Sequence, residues 1–247
     1  KNGGAVYSQH AGDRIFGLAF TNCLFTANAA TNYTVYHEGH IVTTTGEPYG
    51  VDMTHCTVAG NTGGGIRSEW YTNGTYGYGG NVRLQNTIVA TNGGYGVYYD
   101  NSSNPGGNRD PVIVFSDVWG HATNYGDDAY ASTGTITNDP QFIDPGSTNY
   151  FTQWNGPCVN AGANFLVATD LVGTPRPRHL SFDMGCYEMI PPATITSDPA
   201  SGVTLTSANL NGTLSATSAA PTLVFAYWGT RDDGIAWEWG RTNEIGP

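Results

Sequence analysis

The sequence predicts an all-β fold: a right-handed parallel β-helix, a solenoid of ~30-residue coils, followed by a partial β-sandwich. Three observations carry this reading. Charged residues make up only 12% of the 247 residues, about half the usual ~25%. Polarity therefore rests on Asn, Thr, Ser, Gly and Tyr, which favour strands and turns. Two sequence blocks recur in phase along the first half. Within each block, apolar residues alternate at the strand period of two.

The first block is Ala5-Val-Tyr-Ser8, Thr34-Val-Tyr-His37, Gly65-Ile-Arg-Ser68 and Gly96-Val-Tyr-Tyr99, at steps of 29, 31 and 31 residues. The second block runs Gly17–Asn28, Gly50–Asn61, Asn81–Asn92 and Pro111–Ala122, at steps of 33, 31 and 30. Each unit thus holds a short strand, a variable loop and two further strands meeting at a bend. Alternation points Leu18/Phe20, Val51/Met53, Val82/Leu84 and Val112/Val114 inward, and after the bend Phe25, Val58, Val89 and Trp119. So short a unit buries its apolar face only by stacking on its neighbours, at ~4.8 Å per coil. A propeller blade needs about 40 residues, and a leucine-rich repeat needs a Leu grid that is absent here. The regular coils cover about 1–125.

Two columns stand out. Asn28, Asn61 and Asn92 share one position where the strand turns away. They read as a structural hydrogen-bonding ladder at αL-tolerant bends, with a ligand ladder as the alternative. Cys23 and Cys56 share another column, followed by Thr87 and Asp117. Parallel side chains suit a disulfide poorly, so two buried reduced thiols are expected there.

After about residue 125 the pattern changes. Thr137–Pro145, Gly156-Pro-Cys-Val-Asn-Ala-Gly162, Asp170-Leu-Val-Gly-Thr-Pro-Arg176 and Phe182-Asp-Met-Gly-Cys-Tyr-Glu188 follow in order. Over 1–190, these four motifs and the repeat resemble bacterial surface proteins with a pectin-lyase-like β-helix, adhesin-like and ending in a choice-of-anchor type C-terminal module. The resemblance implies a capping module over about 126–190 and a cell-surface location. Asn160 stands where that family usually has Asp, and Cys186 where it usually has Ala. The departure at Cys186, with Cys158 in the same module, implies a Cys158–Cys186 disulfide. Asp170, Asp183 and Glu188 are candidate Ca²⁺ ligands. They lack dense Asp-x-Asp spacing, and pairing with Arg176 or Arg178, or with backbone N–H groups, is the alternative. No other cofactor is expected.

Pro191-Pro192 punctuates the chain, and 191–194 reads as a linker. Residues 195–247 alternate as in a partial fibronectin type III-like sandwich, with Ala208, Leu210 and Leu214 on one strand and Val224, Ala226 and Trp228 on the next. A full sandwich needs ~90–100 residues, so strands from this or another molecule are expected to complete it. Lys1-Asn2-Gly3-Gly4 reads as the interior of a longer chain.

The net charge is −11 and Lys1 is the only lysine, which argues against nucleic acid as a partner. No run of ~18 apolar residues suggests a membrane span. No Cys-x-x-Cys pair supports zinc or thioredoxin-type chemistry. Candidate acids for carbohydrate chemistry are Asp100, Asp110, Asp117, Asp127 and Asp128. Asp110, Asp127 and Asp128 lie in loops rather than on a common strand column, and Asp117 sits in a core-facing column, without the paired-carboxyl pattern of a glycosidase. His37, His40 and His55 read as loop histidines, since His37-Glu-Gly-His40 lacks metalloprotease spacing. The clearest functional signal is aromatic. Trp70, Tyr71, Tyr76, Tyr78, Tyr95, Tyr98 and Tyr99 cluster around the third coil and suit a carbohydrate or protein contact surface.

These readings predict a non-enzymatic extracellular structural or adhesive module, including a protomer of a cell-surface assembly or filament. Self-association, neighbouring surface domains or a glycan would be its partners. The alternatives are a carbohydrate-active lyase or hydrolase, and a non-catalytic glycan-binding module.

Overall fold

The computed structural model describes residues 3–9, 17–39, 50–72, 77–79, 81–100, 110–216, 222–229 and 241–244. The fold is nearly all β, with parallel sheets stacked and no α-helix among the described residues. It forms two units, Lys1–Met189 and Ile190–Pro247.

Three parallel sheets organise the first unit, and each rung of the repeat supplies one strand to each. The first sheet holds β1 (Gly3–Gln9), β4 (Tyr33–Gly39), β7 (Gly64–Thr72), β11 (Tyr95–Asp100) and β14 (Thr123–Asp127), with β8 (Gly77–Gly79) antiparallel on β7. The second holds β2 (Leu18–Thr21), β5 (Val51–Thr54), β9 (Val82–Gln85) and β12 (Val112–Val114). The third holds β3 (Leu24–Thr26), β6 (Thr57–Ala59), β10 (Ile88–Ala90) and β13 (Asp117–Trp119). This in-register order fits a parallel β-helix in general terms.

The repeat fixes the register correctly for four rungs of the first sheet and three of the second: Val6, Val35, Ile66 and Val97 are successive partners, as are Leu18, Val51 and Val82. The fourth rung differs by one residue in the second and third sheets. Ile113 pairs with Leu84, and Val118 with Val89. Ile113 and Val118 are therefore the fully buried residues, while Val112, Val114 and Trp119 are only partly buried. A one-residue slip exchanges the faces of a strand, and Val112-Ile-Val114 is apolar at every position, so alternation could not set it.

The interior core comprises Val35, Val51, Met53, Val58, Ile66, Val82, Leu84, Val89, Val97, Ile113 and Val118, with Cys56 and Tyr99. Each such aliphatic side chain contributes roughly 1.5–3 kcal/mol on burial. Strands of the second sheet alternate buried and half-buried, as expected when one face is solvated. Those of the third sheet do not: β6 and β10 are buried at every position.

The 126–190 segment explains that difference. A cap over the end of the stack was expected, and residues 129–136 do lie on the last rung: Ser132 N donates to Ile113 O, Ile136 N donates to Ser116 O, and Ala129 joins the interior core. The rest of the segment lies along the flank and covers the outer face of the third sheet. Ala59, Ile88 and Ala90 form a second core there with Tyr150, Cys158 and Met184. The contacts reach every rung. Asn22 Nδ2 donates to Thr169 O at 2.6 Å, and Cys186 N to Thr57 Oγ1 at 3.1 Å. Gly185 N donates to Asn86 O at 2.7 Å, and Asn138 N to Asp117 Oδ1 at 3.2 Å. A Cβ on Gly185 (φ +91°) would come within 2.8 Å of Ile88, so the approach requires glycine. Within the segment, β15 (Phe142–Asp144) pairs antiparallel with β16 (Asn149–Thr152).

The second unit holds two antiparallel pairs, β17 (Thr194–Ser201) with β18 (Asn209–Ala216) and β19 (Phe225–Trp228) with β20 (Arg241–Glu244). None of its described residues is buried. Leu210, Leu214 and Trp228, apolar positions of the expected sandwich strands, are exposed.

Candidate functional site

The bends between the sheets are structural. Asn22, His55, Asn86 and Phe115 begin the turn from the second sheet to the third with φ near +50°, a conformation that Asn tolerates best among non-glycine residues. His55 is not a free loop histidine. It is buried against Asn86, with Nε2 2.9 Å from Nδ2. Burial, and then the charge of Arg176, lower its pKa to about 3. His37 is likewise buried, and His40 lies outside the described residues.

The asparagine ladder forms as expected. Asn28 Nδ2 donates to Asn61 Oδ1 at 2.9 Å, and Asn61 Nδ2 to Asn92 Oδ1 at 2.7 Å. The backbone N–H groups of Asn28 and Asn61 donate to the same oxygens. His121 continues the column, with Nε2 3.1 Å from Asn92 Nδ2. The αL residues are the preceding ones, Ala27, Gly60, Thr91 and Gly120, so the asparagines supply hydrogen bonds rather than the bend itself.

Asp170, Asp183 and Glu188 meet around the guanidinium of Arg176. Glu188 Oε2 accepts from Arg176 Nη1 at 2.7 Å, and both side chains are essentially inaccessible. Glu188 Oε1 accepts from Arg178 N. Asp170 accepts from Val172, Thr174 and Glu188 N–H groups, and Asp183 from Asn160 and Met189 N–H groups. Every oxygen of the three carboxylates is thereby engaged, and the local positive charge is Arg176. The geometry ties the flanking segment together rather than opening a coordination sphere. Asn160 at φ +55° takes a related part, its Oδ1 accepting from Leu180 and Ser181 N–H groups.

All four cysteines are free. The disulfide expected between Cys158 and Cys186 is not formed. The Cys158 thiol instead donates to Asp117 Oδ2 at 3.3 Å, and Cys186 lies against Thr57 through its backbone N–H. Asp117 is in the column of Thr57 and Ile88, with Ser116 below Thr87 in the cysteine column. It faces the covered side of the third sheet, wholly buried, and burial raises its pKa to about 7. That position seals it from any polymeric substrate.

The outer face of the first sheet is different. Tyr7, Tyr36, Arg67 and Tyr98 occupy one column on successive rungs. The Arg67 guanidinium lies 4.3 Å from the Tyr98 ring centroid, 5.2 Å from Tyr33 and 5.7 Å from Tyr36, within cation–π range. Tyr95 and Tyr98 pack edge to face at 5.3 Å. Their rings lie where a Cβ on Gly126 would come within 2.6 Å. Beside the rings runs an in-register column of Glu38, Glu69 and Asp100. Each tyrosine hydroxyl reaches an acid on the next rung: Tyr7 to Glu38 at 2.9 Å, Tyr36 to Glu69 at 2.7 Å and Tyr98 to Asp127 at 3.3 Å. Arg67 also pairs with Glu69.

Of the predicted aromatic surface, Tyr95 is 39% exposed and Tyr98 half-buried. Tyr99 is a correction: it points inward and is 2% exposed. Tyr76 lies outside the described residues, as do the side chains of Trp70, Tyr71 and Tyr78. Sequence reasoning missed Tyr7, Tyr36 and Arg67, although the recurring first block places them in one column.

At the last rung, a cleft of about 380 Å³ is lined by Tyr99, Asp110, Pro111, Asp127, Asp128, Ala129 and Tyr130. The last rung thus brings Asp110 beside Asp127 and Asp128; Asp127, expected in a loop, is the last residue of β14. Partial burial, and then the charge of Asp100, raise the Asp127 pKa. No group of acids, histidines and cysteines among the described residues is arranged to hold a metal ion.

In comparison with known proteins, the chain matches no family model, no curated protein and no solved structure.

Proposed function

We propose that this chain is a non-enzymatic extracellular module of structural and adhesive type, built on a right-handed parallel β-helix, with the tyrosine face of the first sheet as its contact surface. The observation that carries the reading is the contrast between faces of the stack. The outer face of the third sheet is sealed by 126–190, whereas tyrosines and carboxylates line the outer face of the first. Tyrosine offers a broad apolar ring with a polar tip and little rotamer entropy to lose, which suits glycan and protein contacts alike. No described helix is long and apolar enough to cross a membrane. A surface location, bacterial origin and association with neighbouring domains or further copies belong to the proposal and rest on the sequence resemblance.

A test is binding of the full chain to immobilised bacterial and host glycans, with sedimentation of the free protein alongside. Binding that weakens about tenfold in Tyr95→Ala/Tyr98→Ala supports the reading, and binding indifferent to that change contradicts it.

The cleft favours a second reading, a carbohydrate-active enzyme. Three carboxyl groups at one cleft, Asp110, Asp127 and Asp128, are the residue type that inverting hydrolysis uses as its acid and base. A screen on polygalacturonate, alginate and host glycans decides it: product release abolished by both Asp127→Asn and Asp128→Asn would establish the enzyme, and inert wild-type protein would exclude it for those substrates.

A further inference from the structure

The two cysteines of the first and second rungs do not share one environment. Leu24 pairs with Thr57 and Thr21 with Thr54, so Cys23 and Cys56 are in-register neighbours on adjacent strands of the stack. Thr57 N donates to Cys23 O at 2.9 Å, holding the two backbones at ladder distance. Parallel neighbours are spaced ~4.8 Å apart, within the 4.4–6.8 Å Cα separation that disulfides span; the side chains, parallel while reduced, must turn toward one another to close the bond. Cys56 is fully buried in the interior core, whereas Cys23 is only partly buried. Among the described residues, the strands on either side of Cys23, β2 and β3, have a partner on one side only. Cys23 is therefore the accessible member of the pair and Cys56 the sheltered one.

We propose that Cys23 and Cys56 form an oxidation site: a hydroperoxide attacked by Cys23 is reduced, and Cys56 closes a disulfide that clamps the first rung to the second. In the first step the Cys23 thiolate attacks one peroxide oxygen, the O–O bond breaks, and hydroxide leaves with the electron pair. Cys23 becomes a sulfenic acid, and the hydroxide takes up the proton lost when Cys23 ionised. In the second step the Cys56 sulfur displaces water from that sulfenic acid and forms the S–S bond. Two thiols lose two electrons and two protons, and the peroxide becomes two water molecules, or water and an alcohol. The division of roles follows the local electrostatics. A hydrogen bond from the neighbouring Cys56 thiol lowers the Cys23 pKa below its ordinary value, while burial raises that of Cys56. The thiolate, the reactive form, thus gathers on the accessible sulfur. Cys158 and Cys186 are raised by burial and sealed beneath the flanking segment.

The test uses the full chain, treated with less than one equivalent of hydrogen peroxide and mapped by mass spectrometry. The expected product is a Cys23–Cys56 crosslinked peptide 2 Da lighter than the two thiol peptides together. In Cys56→Ala, Cys23 should halt as a sulfenic acid captured by a 1,3-diketone. In Cys23→Ser, which changes only the accessible position, that dose should leave Cys56 reduced. Alkylation of reduced protein should label Cys23 roughly tenfold faster than the other three at pH 7, with a pH midpoint below that of a free thiol. Equal reactivity of all four cysteines, first oxidation at Cys158 or Cys186, or a lasting Cys23 sulfenic acid in the wild type would each overturn the proposal.

Discussion

The first and third sheets grow from one repeat, rung by rung, yet their outer faces have opposite fates. On the third, Thr57, Ile88 and Asp117 in one column and Ala59 and Ala90 in the next are covered by 126–190. On the first, the corresponding positions carry Tyr7, Tyr36, Arg67 and Tyr98 with acids beside them. A stacked repeat guarantees an interior and leaves each outer face free to be covered or presented. Here the covered face gathers buried ionisable groups, Asp117 directly and the Arg176 cluster through the covering segment. The open face holds the rings suited to contact.

The contrast can be broken most severely at the ion pair. Arg176→Leu leaves Glu188 buried without its cation, and chemical denaturation should show a loss of roughly 3–5 kcal/mol. Ile88→Ala, in the interface between sheet and segment, should cost about 2–5 kcal/mol and make 126–190 sensitive to protease before the sheets open. Asn61→Ala deprives the Asn28 side-chain and backbone N–H groups of their acceptor. Its expected cost, on the order of 1–3 kcal/mol in thermal or denaturant unfolding, is smaller because the rest of the ladder remains.

Acidity sharpens the same comparison. Asp117 titrates near 7 in the fold, above its ordinary 3.8. Its contribution to stability is complete below pH 3.8 and lost as pH rises to about 7. His55, depressed from 6.5 to about 3, works in the opposite sense: its contribution is complete above pH 6.5 and lost as pH falls towards 3. Each slope is bounded at roughly 1.4 kcal/mol per pH unit, and the two oppose one another from about pH 4 to 6.5. Denaturation across that range should therefore be flatter in the wild type than in Asp117→Asn, whose stability should climb with pH. Equal slopes would place Asp117 in water rather than under the segment. The smallest effect on stability is expected at the open face, where Tyr95→Ala and Tyr98→Ala should alter binding while shifting the melting temperature little.

Much of this architecture is legible in the residues. The blocks beginning at Ala5 and Gly17 locate the strands of three rungs, their registers and the asparagine ladder, because each signal is local and repeated. Register failed where Val112-Ile-Val114 offers no alternation. The flanking position of the segment beyond about 137 was hidden because it depends on contacts between residues far apart in sequence, such as Cys186 with Thr57. One trace of it was present: Thr57-Val-Ala59 and Ile88-Val-Ala90 are small or apolar on both faces, the mark of strands covered on both sides. The tyrosine face was half legible. Tyr95 and Tyr98 were found by clustering, whereas Tyr36 and Arg67 join them only when rungs are stacked. Tyr99 belongs to the same cluster in sequence but alternates inward. The cleft was not legible, since Asp110 and Asp127 meet only through the closure of the last rung.

The most direct test of the division between faces is to measure binding of the full chain to immobilised glycans for the wild type, for Tyr95→Ala/Tyr98→Ala, and for Leu180→Ala, an exposed position on the covering segment. The account predicts about tenfold weaker binding for the tyrosine variant at an unchanged melting temperature, with Leu180→Ala binding as the wild type does. Equal loss in both variants, no loss in either, or a wild type that binds none of the glycans would contradict it.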